Sequence, residues 1–290
     1  MIALAALALA AQAGLATPLL DYAATLSFDT APEEARYRRA LVVAEHELKA
    51  NPPPASDCAR TLGAARFAAL LENVGSQRTW LADHAGAADA YSKALGCTPR
   101  TAYLYAELAQ ELMDDGRYDE AQAAVTRGLA IAHEDYELGS ILARLDFIKE
   151  RWPDAIGWLR WAAAATPDRK QEAYSQCLLW LAQARSGIAH PQLPQRPTDG
   201  WPAPILDALD GTASEAQLLA AVQDNSSELE RRQALAEALF YVGEQRLAAG
   251  DAPTARRYFA ATVNLKVIYY IEHALALAEL AKMRAAAGPP

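Results

Sequence analysis

The sequence predicts an all-α protein built from helical hairpins, and two observations carry this prediction. First, small residues recur at a fixed interval, because Ala87, Ala121 and Ala155 follow one another at steps of 34 residues. Second, hydrophobic residues make up 52% of the 290 residues, while Gly (15) and Pro (16) are too few for a collagen-like or linker-dominated chain. A constant step of this length indicates stacked two-helix units, each of which buries its small residues against a neighbour.

The N-terminal segment 1–13 predicts a signal peptide. Its apolar run, MIALAALALAA, is uncharged, and Ala11-Gln12-Ala13 places small residues at the spacing of a cleavage site. This run is too short to span a bilayer, and no later stretch reaches 18 apolar residues, so we expect no transmembrane segment. No cysteine for lipid attachment follows the cleavage zone. We therefore expect a periplasmic or secreted protein, or a cytoplasmic one if the leader is not cleaved.

A linker at 14–32 precedes a helical region at 33–186. Residues 33–50 predict a strong helix that ends before three consecutive prolines, and one interpretation is that they form half of a degenerate first unit. Three repeats are expected at about 68–101, 102–135 and 136–169, and a further helix follows them. Other positions keep the 34-residue step, namely the small residues Gly75, Ala109 and Ala143 and the larger residues Tyr91, Val125 and Leu159.

Composition changes after this helical region. Residues 187–204 are rich in proline and predict a linker loop, which Trp201 is expected to pin to the helices. Residues 205–284 predict further helices, in which Gly243, Ala255 and Phe259 occupy positions of the same repeat. A short tail, 285–290, ends the chain.

The order of small, aromatic and proline residues in a 34-residue unit resembles the tetratricopeptide repeat (TPR). This resemblance implies helical hairpins stacked in a right-handed superhelix, an α-solenoid. The segments LDGTASEAQLL, ALFYVGEQRLAAGD and IEHALALAEL within 205–284 are similar to the NlpI-type family of envelope lipoproteins and adaptors. Members of that family bind peptidoglycan hydrolases and a periplasmic protease and form homodimers, so the resemblance implies protein partners and a homodimer. The lipidated cysteine of that family is missing here.

The tetratricopeptide resemblance also implies a concave groove lined by the first helix of each unit. Reading the groove positions off this sequence gives a mixed surface of aromatic, apolar, acidic and basic side chains. The candidate partner-binding residues are Glu72, Trp80, Tyr103, Gln110, Met113, Asp114, Glu137, Ser140, Arg144 and Phe147. Such a surface suits a short helix or extended peptide with apolar and basic side chains. For Trp80, Met113 and Phe147, packing between the repeats is an equal alternative.

A search for catalytic motifs gives no candidate. The sequence has no H-E-x-x-H pair, no G-x-S-x-G elbow, no P-loop and no G-x-G-x-x-G turn. We therefore predict no catalytic residue, no metal site, no cofactor and no enzymatic activity. A net charge of −9 argues against nucleic-acid binding, which requires a basic surface.

The three cysteines leave two alternatives open. Cys58, Cys97 and Cys177 are either buried thiols, or Cys58 and Cys97 form a disulfide in an exported protein.

Two functions remain open as well. The leading hypothesis is an envelope adaptor that recruits enzymes such as peptidoglycan hydrolases or a protease. The alternative is a structural, self-associating subunit of an envelope or secretion assembly, with a homodimer formed through its closing helix.

Overall fold

The computed structural model describes residues 17–52, 58–60, 63–193 and 200–286. Across these residues the protein is all-helical and contains no strand, so the predicted fold class is confirmed at the level of an all-α fold. The signal peptide predicted at 1–13 lies outside the described residues, as do part of the proline-rich linker and the end of the tail.

The α-helices are Pro18–Ala24 (α1), Ala31–Ala50 (α2), Ala64–Thr79 (α3), His84–Cys97 (α4), Ala102–Asp114 (α5), Tyr118–Leu129 (α6), Tyr136–Ile148 (α7), Trp152–Ala165 (α8), Arg169–Arg185 (α9), Ala203–Leu209 (α10), Glu215–Gln223 (α11), Glu228–Ala248 (α12), Ala252–Asn264 (α13) and Ile271–Ala286 (α14). Cys58–Arg60 forms one turn of 3₁₀-helix.

The chain divides into two compact units, which we call the central unit (29–145) and the terminal unit (1–28 with 146–290). In the central unit each helix from α2 to α5 packs against the helix that follows it. In the terminal unit α12 is the central element, because it packs against α1, α9, α10, α11, α13 and α14. Short connections between strongly packed neighbours are typical of antiparallel helical hairpins.

The turns inside the hairpins recur with the predicted 34-residue step. Left-handed backbone, with φ of 55°, 77° and 57°, occurs at Ala82, Gly116 and Glu150. The residue after each of them donates its N–H to a carbonyl five residues earlier, as Asp83 does to Arg78 at 3.0 Å. This bond satisfies a carbonyl that the helix end leaves without a partner. Because the same turn closes each hairpin, the second helices α4, α6 and α8 also start 34 residues apart.

The recurring small residues are buried, as the repeat predicts. Ala87, Ala121 and Ala155 have no exposed surface, and neither do Ala109 and Ala143. At Gly128 an added Cβ would lie 2.7 Å from Leu138 Cδ1 and 3.0 Å from Tyr105 Cβ, which is closer than such atoms pack. Small side chains at these positions therefore set how closely neighbouring helices approach.

Cys58 and Cys97 form a disulfide that ties the 3₁₀ turn to the end of α4, with Cα atoms 4.7 Å apart. The disulfide is thus the alternative that the structure contains for this pair. It lies in a hydrophobic cluster that includes Leu71, Tyr91 and Leu104. The Cys177 thiol is free and buried, and burial, followed by the charges of nearby carboxylates, raises its pKa well above the usual value.

Trp201 holds the end of the proline-rich segment to α12, as predicted. Its indole Nε1 donates a hydrogen bond to the carboxylate of Glu237, which also accepts a 2.8 Å hydrogen bond from the phenol of Tyr174. Burial raises the pKa of Glu237 to about 7, although these two hydrogen bonds and the charge of Lys170 oppose the rise.

Candidate functional site

Side chains of α3, α5 and α7 form a connected polar surface on the central unit. The phenol of Tyr103 on α5 donates a 2.7 Å hydrogen bond to Glu72 Oε2 on α3. Arg144 Nη2 on α7 donates a 2.8 Å hydrogen bond to Gln110 Oε1 on α5. We call this the α3–α5–α7 surface. It joins five of the predicted groove residues, since Gln110 also donates to both carboxylate oxygens of Asp114, at 2.9 and 3.0 Å.

The α3–α5–α7 surface is acidic, because several carboxylates lie close together on it. Partial burial raises the pKa of Asp114 to about 6, although the hydrogen bonds from Gln110 and the charge of His84 oppose the rise. Glu107 keeps access to solvent, yet the protein atoms around it desolvate its carboxylate and raise its pKa, and the nearby charges of Glu111 and Glu137 add to the rise. Acidic groups crowded in this way favour the approach of a cation.

Beneath the surface lies a buried carboxylate, that of Glu111, which is 1% exposed. It accepts a 2.7 Å hydrogen bond from Thr79 Oγ1, and its other oxygen lies 2.9 Å from His84 Nδ1. Burial lowers the pKa of His84, but the hydrogen bond to Glu111 and the charges of Asp114 and Asp115 outweigh this effect, so the pKa is raised. Glu111 therefore ties α3 and α4 to α5 below the polar surface.

Two predicted aromatic residues are exposed. Trp80, at the end of α3, is 37% exposed and stacks on Tyr37 of α2, with ring centroids 5.1 Å apart and planes 5° apart. Tyr103 is 51% exposed, and its hydrogen bond to Glu72 raises its pKa to about 12. Flat apolar rings held in place and open to solvent are typical anchors in protein interfaces.

The predicted residues on α7 contribute polar atoms. Glu137 is exposed. Ser140 Oγ and Arg144 Nε are buried atoms that make no hydrogen bond to the described part of the protein. The α7 side of the surface therefore exposes one acid, while two polar atoms beneath it have unused hydrogen-bonding capacity.

The remaining two candidates take the packing role that the sequence left as an alternative. Met113 is 2% exposed and Phe147 is 1% exposed. The Phe147 ring makes an edge-to-face contact with Trp152, with centroids 5.3 Å apart. A partner lying on the surface does not touch either side chain, because both belong to the hydrophobic core.

Sequence reasoning missed Glu107, Glu111 and His84. A signal for the two glutamates was present, because Tyr103, Glu107 and Glu111 are spaced four residues apart and so share one face of α5. The sequence position of His84 gave no sign of this contact. His84 is the first residue of α4, the helix before α5, and it reaches Glu111 only because the two helices pack together.

A second surface feature lies in the terminal unit. A cavity of about 350 Å³ is bounded by Trp180, Ile188, Leu209 and Ala248. One wall is fixed by Gln183, whose amide exchanges hydrogen bonds of 2.9 and 2.8 Å with the backbone of Gln192. The volume is at the lower end of the range for small-molecule sites.

Among the described residues, no group of three or more His, Cys, Asp or Glu side chains is arranged to hold a metal ion. None of the described helices combines the length and the apolar character that crossing a membrane requires.

The chain was compared with known protein families and with curated proteins, and neither comparison gives a match. The resemblance to the tetratricopeptide and NlpI-type families therefore stays an expectation drawn from the residues quoted above.

Proposed function

We propose that this protein is a non-enzymatic adaptor of the bacterial cell envelope, built from tetratricopeptide-type hairpins, which binds other proteins through the α3–α5–α7 surface. The observation that carries the proposal is the pair of bonds between helices, Tyr103 to Glu72 and Arg144 to Gln110, which joins three helices into one surface. Gln110 and Arg144 lie 34 residues apart, so equivalent positions of successive repeats meet there. This agreement between repeat spacing and contact supports the tetratricopeptide interpretation.

The chemistry of the surface favours a segment with basic and apolar side chains. Glu72, Glu107 and Glu137 supply negative charge, and the exposed rings of Trp80 and Tyr103 supply apolar contact. On an amphipathic helix, Lys and Arg side chains would pair with these carboxylates, and the apolar face would contact the two rings. By resemblance to the NlpI-type family, the partners are peptidoglycan hydrolases or an envelope protease.

Placement in the periplasm is part of this proposal. It is supported by the Cys58–Cys97 disulfide, since disulfides persist in oxidising compartments and are rare in the cytosol. Mass spectrometry of the protein isolated from cells tests it. A mature N-terminus close to Ala13 supports export, whereas an intact leader and three reduced cysteines contradict it.

The binding surface is tested with a fluorescent amphipathic peptide made of Leu and Lys, compared with a Leu and Glu peptide of the same length. We expect the basic peptide to bind, and we expect Glu72→Lys with Glu137→Lys to weaken that binding by about tenfold or more, with a smaller effect at high salt. Glu228→Lys, an exposed glutamate of α12, is the control and should leave the affinity within about twofold. Equal effects of all three changes, or binding of the acidic peptide, would contradict the proposal.

Partner identity is tested by placing a photoreactive residue at Trp80 in cells and identifying what it captures. Capture of a peptidoglycan hydrolase or a protease supports the adaptor function. Capture of this protein alone contradicts it and favours a self-associating subunit.

A further inference from the structure

The cavity of the terminal unit has an apolar interior that is open to solvent. It lies between the ends of α9, α10 and α12, and Trp180, Leu209 and Ala248 line it. Trp180 is 8% exposed and Leu209 is 2% exposed, so the inner wall belongs to the hydrophobic core. Ile188, which also lines the cavity, is 43% exposed. A ligand in the cavity would cover this isoleucine and remove apolar surface from water.

The loop 187–192 forms one wall of the cavity, and a single buried residue holds it at both ends. The main-chain carbonyl of Gln183, a residue of α9 that is 2% exposed, accepts a 3.0 Å hydrogen bond from the N–H of Ile188. The side-chain amide of Gln183 binds the N–H and the carbonyl of Gln192 at the other end of the loop. The wall is therefore in place before a ligand arrives, which lowers the cost of ordering it on binding.

A second glutamine, Gln245 of α12, fixes another wall. Its Nε2 donates hydrogen bonds of 3.1 and 2.9 Å to the carbonyls of Ala208 and Leu209, which ties the end of α10 to α12. These two carbonyls determine which end of the amide is the nitrogen. Gln245 Oε1 accepts no hydrogen bond from the described residues, so the lining of the cavity contains an acceptor that a ligand can use.

The cavity also carries a negative charge. Asp210 follows α10, and its Oδ1 accepts hydrogen bonds from the N–H and the Oγ1 of Thr212, at 3.1 and 2.7 Å, which hold the carboxylate in place. The described residues that line the cavity include no Lys or Arg, and His190 is the only other side chain among them that can carry a charge. An ammonium group would therefore be attracted to the cavity, whereas a carboxylate would be repelled.

We propose that this cavity binds a small aromatic amine, with its ring against Trp180 and Leu209 and its ammonium group toward Asp210 and Gln245 Oε1. A volume of about 350 Å³ equals the share of about a dozen water molecules in the liquid, so the ligand has about a dozen non-hydrogen atoms. A flat ring can stack on the indole of Trp180, and an ammonium group has enough N–H donors for both acceptors. The cavity shares no residue with the α3–α5–α7 surface, so the proposal is independent of the adaptor function.

Tryptamine, an indole of this size that carries a primary amine, is the probe for the charge of the ligand. Calorimetric titration of the full chain should show one bound molecule with a dissociation constant of about 1 mM or lower. Indole-3-acetate has the same ring with a carboxylate, and it should bind at least about tenfold more weakly. No binding of tryptamine at millimolar concentration, or equal binding of the two compounds, would overturn the proposal.

Filling the cavity tests where tryptamine binds. Ala248 is half-buried at the end of α12, and Ala248→Leu places a larger side chain in the cavity, so tryptamine should bind at least about tenfold more weakly. Ala220→Leu, the same change at an exposed alanine of α11, is the matched control and should leave the affinity unchanged. Circular dichroism verifies that both variants fold. Binding that survives Ala248→Leu would take place elsewhere on the protein and would overturn the proposal.

A change of charge without a change of size tests the role of the carboxylate. Asp210→Asn should weaken the binding of tryptamine by about threefold or more, and it should leave the binding of neutral indole unchanged. Asp224→Asn is the matched control, because Asp224 is an exposed aspartate that follows α11 as Asp210 follows α10. An equal loss for tryptamine and indole, or an equal effect of the two substitutions, would overturn the assignment of the ammonium group to Asp210.

Discussion

Gly243 on α12 lies directly against the ring of Phe259 on α13. A Cβ at position 243 would lie 2.9 Å from Phe259 Cε1 and 3.0 Å from Tyr258 Cβ, so a methyl group has no space unless the two helices separate. The two residues occupy repeat positions at which the sequence predicted a small residue and an aromatic residue. Their contact shows how the small residue sets the approach of the second helix.

Gly243→Ala should therefore destabilise the protein by about 1–3 kcal/mol, the usual cost of overpacking a buried site. Gly157 is the matched control, since it lies within α8, has ordinary helical backbone, and would meet nothing within 4 Å on gaining a Cβ. Gly157→Ala should stabilise the protein by about 0.5–1 kcal/mol through better helix propensity. Urea denaturation of both variants measures the two effects, and changes of the same sign would contradict the packing argument.

The disulfide gives a second prediction. Cys58 and Cys97 are 39 residues apart in sequence, and a cross-link that closes a loop of this size removes conformational entropy from the unfolded chain. Replacing both cysteines with serine should lower the free energy of unfolding by about 4 kcal/mol. Urea denaturation with and without a reducing agent tests this. Reductant should weaken the wild type and leave the double variant unchanged, and a wild type insensitive to reductant would refute the prediction.

His84 gives a pH prediction whose sign follows from its environment. The folded state raises the pKa of His84 above its usual value of 6.5, because Glu111 accepts its hydrogen bond. Protonated His84 therefore stabilises the fold fully below pH 6.5, and this stabilisation is lost as the pH rises through the folded-state pKa. Compared with His84→Gln, the wild type should lose more of its free energy of unfolding between pH 6 and pH 8.

The readout is the difference between two curves of unfolding free energy against pH. His133→Gln, at an exposed histidine between α6 and α7, is the control and should give a curve parallel to that of the wild type. Parallel curves for His84→Gln and wild type would show that the contact between His84 and Glu111 does not carry the pH dependence.

The parts of the fold that could be predicted from sequence are those set by spacing. A constant interval between Ala87, Ala121 and Ala155 predicts the burial of all three, because hairpins that stack must place equivalent atoms against equivalent neighbours. The helix predicted at 33–50 is observed at Ala31–Ala50.

The features that could not be predicted from the sequence are contacts between residues that are far apart along the chain. The choice between buried thiols and a disulfide required the distance between Cys58 and Cys97, which no spacing rule supplies. Similarly, Glu111 and Met113 lie two residues apart on α5 and both are buried. Burial is the usual state of a methionine, but it is unusual for a glutamate. The cost of burying Glu111 is offset by Thr79 and His84, which approach from other elements.

Arg185 in the terminal unit gives the last prediction. Its guanidinium is 10% exposed and lies among three carboxylates, 2.5 Å from Glu244, 3.0 Å from Glu150 and 3.8 Å from Glu279. Arg185→Met keeps much of the apolar stem but removes the charge, so Glu244 would be left buried without its main cation. We expect a loss of about 3–5 kcal/mol at neutral pH. Arg38→Met, which breaks an exposed pair with Glu34, should cost less than about 0.5 kcal/mol.

The loss at Arg185 should also depend on pH. Burial, followed by the charge of Glu279, already raises the pKa of Glu244, while Arg185 and Lys282 oppose the rise. Without Arg185 the carboxylates can avoid the cost of an unpaired buried charge only by binding protons, which is easier at pH 5 than at pH 8. Arg185→Met should therefore destabilise the protein less at pH 5 than at pH 8. An equal loss at both pH values would mean that Arg185 acts through packing of its stem against Trp152, over whose ring its guanidinium lies at 5.1 Å, and not through charge.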